Sequence, residues 1–238
     1  MNKLRLMESW FLKANYLEFT AVLTLANIGM YFGTWLIIVF LRKYFIRYDL
    51  NLHEASMSQD DFITSLIVLF LNILVGVVGL WFLKQGYISF NPKKLVGIFL
   101  DFILMLLFMD FCMYVLHIIA HHKLLYKKLH GLHHTHEDMA PLSLYVMHPL
   151  EAFGFGLIMI FFLCLYSIDI AALILFLIFN WLFGVFAHSG IEPNRGELGN
   201  YICMTRFHQL HHQHHNCNYG FFTPIWDVLF RTRKYDRE

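Results

Sequence analysis

Charge is scarce in this chain. Only 15% of its 238 residues are Asp, Glu, Lys or Arg, against about 25% in average soluble proteins. Apolar residues make up 58%, with 25 phenylalanines. That balance excludes an ordinary soluble globule and fits a multi-span membrane protein. The net charge of +1 offers no basic surface for a nucleic acid, so none is expected as a partner. The four cysteines, Cys112, Cys164, Cys203 and Cys217, form no C-x-x-C pair, which removes zinc-ribbon and thioredoxin-like folds. Cys112 and Cys164 sit in apolar runs, as packing residues do. No G-x-G-x-x-G occurs, so a nicotinamide or flavin is not held by the usual fold. His136-Glu137 lacks the second histidine of a zinc-protease helix. No Glu-x-x-His pair is present either, which removes the carboxylate-bridged di-iron bundles.

The N-terminal stretch has no small-x-small cleavage site and runs into an apolar segment too long for a signal peptide. It reads as a short interfacial helix with Trp10 and Phe11 at headgroup level. Five apolar runs follow, at about 17–41, 62–83, 94 to the first histidines, 150–166 and 170–188. A hydrocarbon core needs about 20 residues of helix. The last two runs are joined by Ser167-Ile168-Asp169 and form a helical hairpin. Gly29 and Gly33 form a small-xxx-small pair in the first span. Asp60 and Asp61 precede the second, where carboxylates favour a helix N-terminus. The expected fold is an all-α polytopic membrane bundle of about five spans with a histidine-rich helical cap. Residues 1–100 would hold the interfacial helix and two spans, and residues 101–238 the histidine-bearing domain.

Fourteen of the fifteen histidines lie between positions 117 and 215; His53 is left as a loop residue. Residues three and four apart share a helix face. His117 and His121 are four apart, His130, His133 and His134 form an i, i+3, i+4 set, and His208, His211 and His212 repeat it. The hairpin returns the chain so that the two clusters face each other, and His188 closes it beside them. Neutral imidazole is a general ligand for first-row transition ions. Eight converging imidazoles exceed what one four-coordinate ion takes, so two metals are expected. Asp110, seven residues before His117, shares its helix face and is expected to accept a hydrogen bond from a ligand imidazole. Asp101 lies toward the far end of the same span and is given no role.

With the other metal chemistries removed, iron plus dioxygen acting on an apolar substrate remains. A histidine-rich metal transporter would need a polar path through the spans, which are apolar. A bis-histidine haem protein would pair its ligands inside the bilayer rather than at span ends.

The spacing H-x-x-x-H at 117–121, H-x-x-H-H at 130–134 and H-x-x-H-H at 208–212 resembles the three histidine boxes of the fatty acid hydroxylase/sterol desaturase superfamily. Tyr126, His148-Pro-x-Glu151, His188-Ser-Gly, Asn218-Tyr-Gly and Trp226-Asp-x-x-Phe230-x-Thr232 extend the resemblance over about residues 101–232. The His148 and His188 elements look most like the sterol 4-methyl oxidase and sterol desaturase branch. The stretch after His188, IEPNRGELGN, departs from the Gly-Tyr-x-x-Pro of that branch. The resemblance implies a non-haem di-iron centre, with zinc as a substitute in isolated protein, and dioxygen as co-substrate. The eight box histidines carry over as ligands with His188 as the ninth, while His148 stays open between ligand, hydrogen-bond donor to a ligand and structural residue. The implied activity is hydroxylation of a membrane lipid, with desaturation as the alternative. Electrons would come from a separate donor, a b-type cytochrome or a ferredoxin with its reductase.

Five spans place both clusters on one side with Arg42, Lys43, Arg47, Lys123, Lys127, Lys128, Arg195, Arg206, Arg231, Arg233, Lys234 and Arg237. Lys3, Arg5, Lys13, Lys84, Lys93 and Lys94 fall on the other. Twelve basic residues against six favour a cytoplasmic site, in a bacterial inner membrane or the endoplasmic reticulum.

Overall fold

The computed structural model describes residues 9–44, 57–135, 142–191, 201–203 and 205–234. His53, His136 and the departure at 192–200 lie outside the described residues, as do the first eight residues of the expected interfacial helix; residues 9–13 are helical. The remaining α-helices, in chain order, are α1 (Tyr16–Tyr44), α2 (Gln59–Lys84), α3 (Leu95–Ala120), α4 (Tyr126–Leu129), α5 (Pro149–Leu165), α6 (Ile170–Ala187), α7 (Thr205–His214) and α8 (Ile225–Leu229), with 3-10 turns at His133–Thr135 and Ser143–Tyr145. No strand is found among the described residues.

Local chemistry sets the helix starts. Asn15 and Glu18 exchange hydrogen bonds ahead of α1, Glu18 N–H to Asn15 Oδ1 at 2.8 Å and Asn15 N–H to Glu18 Oε2 at 3.2 Å. Ser58 and Asp61 form the same reciprocal box at α2, satisfying donors that a helix terminus leaves unpaired. Asp169 caps α6 by accepting from Ala171 N–H at 2.8 Å.

Four helices, α1, α2, α3 and α6, are long and apolar enough to cross a membrane, and α5 is a shorter apolar one. In each of α1, α2 and α3 only 22% of the most apolar window is buried within the protein. Their apolar faces therefore point outward, the reverse of a soluble bundle and what a hydrocarbon solvent favours. The inward faces meet in one core. Met105, Met109 and Met113 repeat every four residues along α3, and pack with Val75 and Leu80 of α2, Ile160 and Leu163 of α5 and Phe176 of α6. Gly33 lies against Trp181 of α6, where a Cβ would approach the indole to 3.2 Å; Gly29 faces open space. Only one half of that small-residue pair therefore serves packing.

The bundle has two polar ends. At one, the end of α3, the starts of α5 and α7 and the end of α6 converge, and Arg42 of α1 donates from Nε to the Ser189 carbonyl at 2.9 Å. At the other, Asp101 is 2% exposed inside α3 and fully engaged. It receives Lys93 Nζ at 2.6 Å, the Tyr166 hydroxyl at 3.2 Å and Asp169 N–H at 2.8 Å. Asp169 in turn accepts from Lys93 N–H at 2.7 Å. The network locks the turn before α3 to the α5–α6 link, so α5 runs from one end of the bundle to the other. Asp101, unassigned in the sequence, is the anchor of the end remote from the histidines.

Replacing Asp101 by Ala leaves Lys93 and Asp169 N–H without their acceptor. We expect a loss of about 1–2 kcal/mol, the scale for a buried donor left without its acceptor, since the part-exposed Lys93 can be rehydrated, seen as a lower melting temperature of detergent-solubilised protein. Metal content per folded chain should not change.

Candidate metal centre

Three different local structures bring the histidines together. His117 lies in the last turn of α3 and His121 is its C-terminal cap, so four-residue spacing on a helix aims both rings the same way. His208, His211 and His212 stand on one face of α7. The set at 130–134 is not on a helix. His130 caps the four-residue α4, and His133 and His134 sit in a 3-10 turn. The bonds from His133 N–H and His134 N–H to the His130 carbonyl, at 3.0 and 3.4 Å, still hold near-helical spacing. His188 is the C-cap of α6.

These nine imidazoles form two adjoining groups. In the first, one nitrogen from each of His117, His121, His130, His134 and His211 lies within 4.8 Å of all the others. In the second, His133, His188 and His208 meet the same criterion, and His212 Nε2 lies 3.2 Å from His133 Nε2 and 3.1 Å from His208 Nε2. The groups touch, with the His134 and His212 rings 4.4 Å apart. All nine histidines singled out in the sequence are thus collected.

Hydrogen bonds on the outer nitrogens settle what the inner ones can be. His117 Nδ1 is 2.9 Å from the Tyr219 carbonyl oxygen, and His211 Nδ1 is 2.7 Å from that of Cys217. A carbonyl only accepts, so both Nδ1 atoms carry the proton and both Nε2 atoms are bare. His130 Nδ1 lies 2.8 Å from Glu151 Oε1; with Glu151 ionised that nitrogen donates and its Nε2 is bare too. Yet His117 Nε2 and His130 Nε2 are 2.9 Å apart. Two lone pairs at that distance repel unless a cation lies between or beside them. Protons are not the answer. Burial and the neighbouring imidazoles push His121 down to about 2. Burial and His215 push His134 down to about 3. Burial first and then the neighbouring rings hold His133, His208, His211 and His212 well below the usual histidine value. The residues fit metal ions: neutral, nitrogen-only donors suit first-row transition metals and disfavour magnesium or calcium. Thiolates take no part, since neither group contains a cysteine.

One sequence expectation is corrected here, and one role left open is narrowed. Asp110 does not meet an imidazole. Its carboxylate accepts from Phe222 N–H at 2.7 Å, Thr223 Oγ1 at 2.6 Å, Thr223 N–H at 3.3 Å and Trp226 Nε1 at 3.2 Å. Seven residues equal two turns, which aligned Asp110 with His117, but two turns also set it about 10 Å below, at the level of the returning C-terminal segment. His148 is no ligand in this geometry either: its Nδ1 accepts Leu150 N–H at 3.2 Å as the N-cap of α5. The carboxylate that does reach a ring of these groups is Glu151, in the first turn of α5. It was visible only as part of the His148-Pro-x-Glu element. The carbonyls of Cys217 and Tyr219 carry no side-chain signal at all. Tyr126 and His215, bonded at 3.2 Å, lie against the first group, and the His215 ring is 4.4 Å from that of His134. His122 and His214 take no place in either group.

A family model described as "Fatty acid hydroxylase" matches residues 102–232. Among curated proteins, the Delta(7)-sterol 5(6)-desaturase of Leptosphaeria maculans is 27% identical over 216 residues, which is 84% of this chain and 60% of that protein. A Delta(7)-sterol 5(6)-desaturase of Gibberella zeae is 35% identical over 131 residues, 55% of this chain and 37% of that protein. One of Schizosaccharomyces pombe is 26% identical over 223 residues, 85% of this chain and 72% of that protein. The chain spans less than two thirds of the length of the first two. No solved structure matches it.

Glu151→Gln should lower the affinity for transition ions about tenfold, the smaller end of what losing a hydrogen-bond partner of a ligand imidazole costs; equilibrium competition with a chelator measures it. His148→Ala should instead retain metal and lose about 1 kcal/mol of stability, the worth of an N-cap.

Proposed function

The chain belongs to the fatty acid hydroxylase family, and from that premise we propose that it is a membrane oxidoreductase that oxidises a lipid at a non-haem di-iron centre. The observation that carries this is the pair of adjoining all-imidazole groups, with bare Nε2 atoms facing one another at one end of an apolar bundle. His117, His121, His130, His134 and His211 would hold one iron, and His133, His188, His208 and His212 the other. Bound there, two irons would supply the redox chemistry with dioxygen that breaking an unactivated C–H bond demands.

The chain's own residues bind, orient and keep the site dry. Glu151 and the carbonyls of Tyr219 and Cys217 fix three ligand rings in the tautomer that offers Nε2. Ser143 Oγ, 3.1 Å from His188 Nδ1, orients a fourth. Met113, one turn before His117, and Phe222, three residues after Tyr219, are both buried and carry the apolar core up to the clusters. An apolar substrate entering from the bilayer would meet that core first.

The sterol desaturase relatives favour a sterol-like lipid and removal of two hydrogens. The family name favours hydroxylation as the second reading. The two share the metal centre and differ in where the reacting carbon lies. Reducing equivalents would come from a b-type cytochrome or from a ferredoxin with its reductase. The distribution of basic residues favours a cytoplasmic site, and the fungal relatives favour the endoplasmic reticulum over a bacterial inner membrane.

Protein from iron-supplemented cells should hold about two irons per chain without a haem band, and the His133→Ala, His211→Ala double variant should lose them. With a reductant and dioxygen, mass spectrometry of offered lipids should show a product lighter by two hydrogens for desaturation, or heavier by one oxygen for hydroxylation. Iron unaffected by the double variant would overturn the assignment of the site.

A further inference from the structure

The tautomers of His117 and His211 rest on two backbone carbonyls, and both carbonyls belong to peptide planes gripped from behind. The Tyr219 carbonyl shares its peptide unit with Gly220 N–H. A trans peptide points these two groups in opposite directions. Gly220 N–H donates to Asp227 Oδ2 at 2.7 Å, and Tyr219 N–H to Asp227 Oδ1 at 2.8 Å. Held on that side, the plane can only aim its oxygen the other way, at His117 Nδ1. The Cys217 carbonyl shares its unit with Asn218 N–H, which donates to the Thr232 carbonyl at 3.0 Å. Thr232 is itself fixed by Asp227, through Oγ1 to Oδ1 at 2.7 Å and N–H to the Asp227 carbonyl at 2.8 Å. That plane aims its oxygen at His211 Nδ1.

The turn has no slack. Asn218 is at φ 57°, a left-handed conformation that asparagine tolerates. Its side chain clamps Lys234, accepting Lys234 N–H at 2.8 Å and donating to the Lys234 carbonyl at 3.2 Å. A Cβ on Gly220 would come within 2.6 Å of both Asp227 Oδ2 and the Thr223 carbonyl oxygen. Asp227 itself is fully buried and touches no imidazole.

We propose that Asp227 is a positioning residue for the metal centre: by gripping the 219–220 peptide plane directly and the 217–218 plane through Thr232 it sets the tautomers of His117 and His211. This rests on the reading of the histidine groups as a metal site. Because both rings belong to the five-histidine group, loss of the grip acts on one ion and spares the other. Asp227→Asn keeps the shape but turns an amide NH2 toward donors that need an acceptor.

The test is cobalt(II) titration of the metal-free, detergent-solubilised full chain, with melting temperature measured on the same samples. Wild type should bind two cobalt ions tightly. Asp227→Asn should keep one tight site while the other weakens by about tenfold or more. Gly220→Ala, which pushes the turn off the carboxylate, should reproduce that selective loss and serves if the first variant does not fold. Asp101→Asn, at the far end of the bundle, should lower the melting temperature with both sites intact. Two unchanged sites in Asp227→Asn would overturn the proposal. So would parallel weakening of both sites in step with melting temperature, which is what a merely structural carboxylate produces. A wild type that binds no cobalt would fail the metal reading itself, a distinct result that removes the proposal with it.

Discussion

Nine neutral imidazoles confined to one small volume are the constraint around which this structure is arranged. Each ring costs less to bury neutral than charged, since neutral imidazole carries no charge into the interior. Together their inner lone pairs repel, and protonation is closed to them because burial, and then each imidazolium's effect on the next, disfavours the charged form. A polar cluster half-satisfied in this way is worse than an apolar core. On the proposed reading cations complete the arrangement, and the same crowding becomes coordination. The protein's outlay goes into holding the rings in place before any cation arrives, through acceptors on the outer nitrogens of His117, His130 and His211.

The remainder of the fold supplies rigidity at a distance. Polar networks occupy both ends of the bundle, and between them the helices meet mainly through methionine, leucine and phenylalanine. The few polar contacts inside the bundle tie α1 to its neighbours. Tyr31 reaches Ser65 at 3.1 Å, Thr34 reaches the Tyr145 hydroxyl at 3.1 Å, and Trp181 Nε1 donates to Thr34 at 2.9 Å. Tyr145 is two residues from Ser143, the partner of His188. The first span, which contributes no histidine to either group, is thereby coupled to the second group through a 3-10 turn and to Ser189 through Arg42.

Histidine spacing was readable because helical periodicity maps residue number onto direction. It served fully on α7 and at the end of α3, where helices exist, and it served at 130–134 because a short cap and a 3-10 turn keep nearly the same spacing. The same logic misplaced Asp110. Periodicity reports the face of a helix but not the height, and a carboxylate two turns below a ligand meets whatever segment packs there. His148 had the right residue type but was taken by its own helix start. Glu151 was half-legible as part of a motif. The carbonyls at 217 and 219 were not legible, since every residue has one and only tertiary folding selects which are used. The apolar runs announced the membrane class, and the run read at about 150–166 is met by the 17-residue α5.

The route of the chain has a consequence for biosynthesis. The elements that complete the centre come late in the sequence: α7 brings three of the nine rings, and the acceptors for His117 and His211 lie in the turn that Asp227 and Thr232 fasten. While α1 to α6 are entering the membrane, His117 lacks the carbonyl that sets its tautomer, and neither group has the rings that α7 brings. On the proposed reading, neither group has its full set of rings until α7 is in place, so complete metal loading follows insertion. A ribosome stalled before residue 232 would leave a fully inserted bundle with an open, unfastened histidine surface, a species that quality control could recognise by its loose end.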